Sequence, residues 1–160
     1  MEDGKEGFIN IVRFLKTNSG KKGEGMPVVR NPQFYFREGL CWSDINTTFL
    51  KCRKKEKSIH DVKSMSIFGT SDLLSEDYII TLINSTLISY YVATFVNNTQ
   101  TFQNNDARQL RIIIPTKMED NEAKAFLKTA IMLKKEGNSK NLLCDLQKDV
   151  DAYIEKIYGL

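Results

Sequence analysis

The chain has 160 residues, 41% of them hydrophobic and 27% charged, which excludes a long disordered or fibrous segment and allows one hydrophobic core, rarely two. The net charge of +3 at pH 7 does not by itself name an anionic partner, but the charge is uneven. Residues 1–70 carry 13 lysines and arginines against 8 acids, and residues 71–160 carry 10 against 12, so the N-terminal half is the part expected to meet an anion.

In chain order, Phe8 to Leu15 (FINIVRFL) reads as a strand. Asn18 to Gly25 (NSGKKGEG) is a glycine- and lysine-rich turn, and Met26 to Arg30 returns as a strand, closing a hairpin. Pro32 and Gly39 bracket Gln33 to Glu38, where the consecutive aromatics Phe34, Tyr35 and Phe36 suit an extended segment buried on one side. Ser43 and Asp44 have the chemistry of helix caps. Thr47 to Arg53 and Ile59 to Phe68 read as two strands joined by the lysine-rich turn Lys54 to Ser58.

Ser75 is an N-cap with Glu76 and Asp77 in the first turn, where the helix dipole favours negative charge. From there a helix is expected to run to about Val96. Its apolar residues cover most of the circumference, which makes it the buried central helix. Thr81, Asn84, Ser85, Thr86, Ser89 and Thr94 make the same stretch too polar for a membrane span. Leu110 to Ile114 is a short β-branched strand ended by Pro115. Two amphipathic helices follow, Glu119 to Lys135 and Asn141 to Tyr158, separated at Gly137 and Asn138. In the second, Leu143, Leu146, Val150, Tyr153 and Ile157 form a narrow apolar seam suited to a partner helix. The expected fold class is α+β (mixed α/β): a small mixed or antiparallel sheet around a buried central helix, with two C-terminal amphipathic helices.

Chemistry-bearing patterns are few. Cys41, Cys52 and Cys144 fit neither a disulfide framework nor a zinc site, so a reducing cytoplasm is the expected compartment. The polar, acidic start at Met1 to Gly7 does not read as a signal peptide. His60 is the only histidine, and a lone histidine is more often structural or solvated than catalytic. Gly20 to Gly25 lacks the order of a phosphate-binding loop. Asn31-Pro32-Gln33-Phe34 comes near the loop by which amino methyltransferases hold a target amino group, but Gln33 replaces its second proline. No glycine-rich cofactor turn precedes it.

Four phrases carry a resemblance: Asn31 to Ser43 (NPQFYFREGLCWS), Ser66 to Phe68 (SIF), Leu82 to Leu87 (LINSTL) and Thr101 to Pro115 (TFQNNDARQLRIIIP). In this order and spacing, across roughly residues 28–116, they resemble the C-terminal specificity region of large adenine-specific DNA methyltransferases. That group includes type IIG restriction–modification enzymes and the methyltransferase of BREX phage-exclusion systems. The chain departs from the family pattern at Lys63-Ser64, Asn104-Asn105-Asp106 and Ile112 to Ile114.

The resemblance implies a target-recognition domain over residues 1–116 that grips double-stranded DNA while a separate catalytic domain flips and methylates adenine. Residues 117–160 would be a helical pair packed on it or on that catalytic domain. It implies no catalysis and no cofactor in this segment, with S-adenosylmethionine held by the parent's catalytic domain, with or without a fused endonuclease. The implied partners are duplex DNA and that catalytic domain; no membrane is involved, and the seam offers a route to self-association.

Lys51, Arg53, Lys54, Lys55 and Lys57 are the leading candidates for phosphate contacts, with Lys21, Lys22, Arg30 and Lys63 secondary. Asn104, Asn105 and Arg108 have base-reading chemistry, whereas Gln103 and Asp106 are expected to shape their turn. Trp42 and the Phe34–Phe36 run are expected to be core rather than base-stacking groups. The competing reading is a protein-interaction module of a restriction or phage-defence complex with no DNA contact of its own.

Overall fold

The fold is α+β, with a three-stranded antiparallel sheet packed on a kinked helix. The computed structural model describes residues 32–59, 63–137 and 140–160. The expected strands at Phe8–Leu15 and Met26–Arg30, the turn between them, and His60 lie outside the described residues. The chain divides into two compact units, Met1–Tyr35 and Phe36–Leu160. Of the first, only Pro32–Tyr35 is described, and Pro32–Phe34 is a single 3-10 turn. This replaces the expected extended aromatic run. Proline is pre-set for a first helical turn, and Phe36 takes a left-handed φ of 58°, which is incompatible with an extended run through the aromatics.

Within Phe36–Leu160, the strands are β1 (Gly39–Ser43), β2 (Cys52–Lys55) and β3 (Ser64–Ile67), in the order β2-β1-β3. The two later strands therefore flank β1 rather than pairing with each other. They are also shorter than the sequence suggests, because Thr47–Phe49 is an exposed bend. Register places Leu40 between Lys54 and Ile67, and Trp42 between Cys52 and Met65, so these six share one sheet face. Gly39 lies so close to β3 that a Cβ on it would sit 2.2 Å from the Ile67 carbonyl oxygen, so only glycine fits.

Ser43 and Asp44 cap no helix. Residues 44–46 instead pair with 100–102: Phe102 N–H donates to the Asp44 carbonyl at 2.8 Å, and Asn46 N–H to that of Gln100 at 2.7 Å. The Trp42 indole N–H donates to the Phe102 carbonyl at 2.7 Å, and the two rings lie 5.5 Å apart. Trp42 is 1% exposed, at the centre of the core.

The central helix begins where the sequence indicates, at Ser75, whose hydroxyl accepts from Tyr78 N–H and donates to Asp120. It does not continue unbroken to Val96. It is α1 (Glu76–Ile83), α2 (Thr86–Tyr91) and a π-turn (Val92–Val96), with a bend of 63° between α1 and the rest. The break has a local cause. Ser85 is extended at ψ 150° and spends its hydroxyl on capping Ile88 N–H and bonding the Leu82 carbonyl. Among the described residues no single helix is long and apolar enough to cross a membrane.

The short helix α3 (Asn104–Ala107) follows, then α4 (Lys117–Glu136) and α5 (Lys140–Tyr158). Thr116 and Glu119 cap α4 reciprocally, and Gly137 ends it at a left-handed φ of 78°. The expected strand Leu110–Ile114 forms no ladder among the described residues. Its carbonyls are taken by helix side chains instead: Tyr78 Oη donates to Ile113 O at 2.9 Å and Tyr158 Oη to Arg111 O at 2.7 Å. Tyr153, Ile154 and Val150 are the buried part of α5, and Tyr153 Oη bonds the Glu119 carbonyl at 2.7 Å. Asp151 takes the backbone N–H and hydroxyl of Thr86 at 2.7 and 2.8 Å, so α5 is seated on the kink.

Candidate nucleic-acid interface

Strand β2 is an edge strand, and the feature that positions it is Asn84 in the α1–α2 kink. Asn84 Oδ1 accepts from Cys52 N–H at 2.9 Å, and Asn84 Nδ2 donates to the Cys52 carbonyl at 2.8 Å. One amide side chain thus replaces a neighbouring strand at that residue. Leu50 N–H is held in the same way, by the Ser89 hydroxyl at 3.1 Å. The edge is covered at its apolar end and left with a cationic one, a common device against strand-to-strand association.

The expected phosphate contacts fall into three sets. Lys51, Arg53 and Lys57 are exposed on or beside β2. Lys54 is half-exposed and pairs with Asp77 at 2.8 Å, while Lys63 pairs with Asp44 at 3.3 Å. Lys55 departs from the expectation. It is 6% exposed, its ammonium donates to the Ser58 carbonyl and hydroxyl at 2.8 and 2.7 Å, and it lies 5.9 Å from the Phe68 ring centroid. A lysine so committed organises the 56–58 turn rather than meeting a phosphate. Lys21, Lys22 and Arg30 lie outside the described residues.

Asn104, Asn105 and Arg108 are exposed around α3, and Arg108 Nη1 donates to Asn105 Oδ1 at 3.1 Å. Asp106 closes the turn by accepting from Gln103 N–H at 2.8 Å and from Asn97 Nδ2 at 3.2 Å. This shaping role is the one assigned from sequence to Asp106; Gln103 takes part through its backbone.

Two cations were missed by the sequence reading. Lys134 and Lys135, at the end of α4, line a half-open cleft of about 820 Å³ together with Lys51, Arg53 and Lys54. Glu56 is the acid lining the same cleft among the described residues. Its floor is apolar, built from Phe126, Leu127 and Ile131 of α4 and Leu143, Leu146 and Val150 of α5. The sequence signal was present, since lysines in the last turn of a helix suit its dipole, and that ordinary explanation says nothing of the cleft they line. Among the described residues, no cluster of three or more histidine, cysteine or acidic side chains could hold a metal ion.

Cys52 lies at the cleft wall. Burial, reinforced by the nearby Cys41 thiol, pushes its pKa up to about 12. Two results follow. Cys144 is exposed whereas Cys41 and Cys52 are buried, so a thiol titration will show one fast-reacting group in the folded protein and two more after denaturation. Because the folded pKa of Cys52 is raised, its contribution to stability is complete below the ordinary thiol range and is lost as pH rises toward 12. Tyr78 and Tyr153, raised mainly by burial, add to this in the same direction. Urea midpoints measured from the ordinary thiol range up toward pH 12 will therefore fall with pH, and a Cys52→Ala variant will show a shallower fall.

No protein-family model matches the chain, and no curated protein matches its sequence.

Proposed function

We propose that this chain is a double-stranded DNA recognition module of an adenine-N6 DNA methyltransferase of restriction–modification or phage-exclusion type. Methyl transfer and S-adenosylmethionine belong to a separate catalytic domain. The observation that carries the DNA-binding part is the set of exposed cations on or beside a braced edge strand, Lys51, Arg53 and Lys57, with Lys134 and Lys135 sharing a cleft with the first two. Fixed cations on a rigid element suit phosphate contacts, which set register and leave base reading to neighbouring turns. The link to an adenine methyltransferase rests on the resemblance of the four sequence phrases. Three of them support β2 and its surroundings: Trp42 bonds the Phe102 carbonyl, and Asn84 holds Cys52.

The test is a fluorescence anisotropy titration of a labelled duplex across a salt series. With about four phosphate contacts, counterion release predicts a log–log slope near −3.6, an affinity loss of about 150-fold between 50 and 200 mM salt. Lys51→Glu combined with Arg53→Glu will weaken binding and flatten the slope. Absence of duplex affinity at the lowest salt would refute the reading for this chain.

A further inference from the structure

A duplex accounts for the cationic rim of the cleft but not for its floor, because phosphates gain nothing from covering apolar side chains. The floor has a regular form. Phe126, Leu127, Ala130 and Ile131 recur along α4 at helical spacing, and Leu143, Leu146 and Val150 do so along α5. The α4 wall runs from Phe126 to Lys135, a length of about 14 Å at 1.5 Å per residue. Among the described residues, two helical stripes that flank a trough, with β2 and α1 as the facing wall, make a bundle with one position open. Charge fixes the chemistry of what fits there. Lys51, Arg53, Lys134 and Lys135 line the trough with Glu56 as the opposing charge among the described residues, while Lys54 is already paired with Asp77.

We propose that this cleft docks an amphipathic helix of a partner protein, with its apolar face on the α4–α5 stripes and flanking glutamates or aspartates against the lysine and arginine rim. This is helix-in-groove recognition, with anchors spaced at i, i+3, i+4 and i+7. Rim charges set orientation and partner choice, and the apolar floor supplies the affinity. The inference is independent of the DNA reading, since the floor is unexplained by DNA whether or not the rim binds it.

The probe is a capped synthetic peptide of about 18 residues with leucines at the anchor spacing and glutamates on the flanks. Its control carries lysines in place of the glutamates. Both are titrated against the full chain by calorimetry in the absence of DNA. The acidic peptide is expected to bind at least ten-fold more tightly than the basic one. Lys134→Glu with Lys135→Glu, two exposed changes whose folding is checked by circular dichroism, will cut that preference or reverse it. Ile131→Ser on the floor, which adds no charge beside the rim cations, will weaken the acidic peptide by ten-fold or more while leaving duplex affinity in place, which separates the apolar floor from the phosphate-contacting rim. Equal binding of the two peptides, preference for the basic one, or no binding overturns the proposal. A dimer in sedimentation that Ile131→Ser dissociates also overturns it, in favour of a second copy of this chain.

Discussion

Replacing Trp42 with alanine is expected to lower the unfolding free energy by about 3–5 kcal/mol, the range for loss of a fully buried large aromatic. The side chain is 1% exposed, and it joins elements distant in sequence: β1, through its backbone, and the Phe102 segment, through its indole. Alanine would leave a cavity and also orphan the Phe102 carbonyl. Trp42→Phe separates the two effects. It keeps most of the ring volume but removes the donor, so it should cost about 1–3 kcal/mol, the penalty for a buried group left unsatisfied. Urea unfolding followed by circular dichroism measures both variants without relying on tryptophan emission. A cost below about 1 kcal/mol for Trp42→Ala would mean that the Trp42–Phe102 contact does not hold the sheet to the 100–102 segment.

The second large effect is expected at Asn84. Asn84→Ala removes a donor and an acceptor together, leaving the N–H and C=O of Cys52 without their partner at a part-buried edge. At about 1–2 kcal/mol for each group, the loss is about 2–4 kcal/mol. The change is also local. β1 still pairs with β3, so the Cys52 amide should exchange its hydrogen much faster while amides in the β1–β3 ladder stay protected. Duplex affinity should fall with it, since Lys51 and Arg53 flank the released residue. If Cys52 stays as protected as the β1–β3 ladder, Asn84 is not what anchors β2.

Local chemistry was legible where it acts alone. Ser75 and Gly137 mark helix ends through local chemistry, and the apolar spacing of residues 119–158 gives two helices without reference to anything else, although the first begins at the Thr116 cap and not at the expected Glu119. The burial of Trp42 follows from its size. Lys55 misled because, to a sequence reading, it is identical to its neighbours Lys54 and Lys57. Only the Ser58 carbonyl and the Phe68 ring, brought to it by the turn, set it apart. Leu110–Ile114 misled for a related reason. Its β-branched pattern is real, but the partners it finds are the hydroxyls of Tyr78 and Tyr158 rather than a strand.

The amino-acid sequence by itself determined the class of fold, the helix ends at Ser75 and Gly137 and the concentration of cations in the first half of the chain. These depend on neighbours along the backbone and on composition. The tertiary structure alone decided that β1 lies between β2 and β3, that one asparagine at a helix kink completes a sheet edge, and that Lys134 and Lys135 share a cleft with cations some 80 residues away. Those outcomes turn on which surfaces pack together, and packing selects among contacts that no local pattern distinguishes.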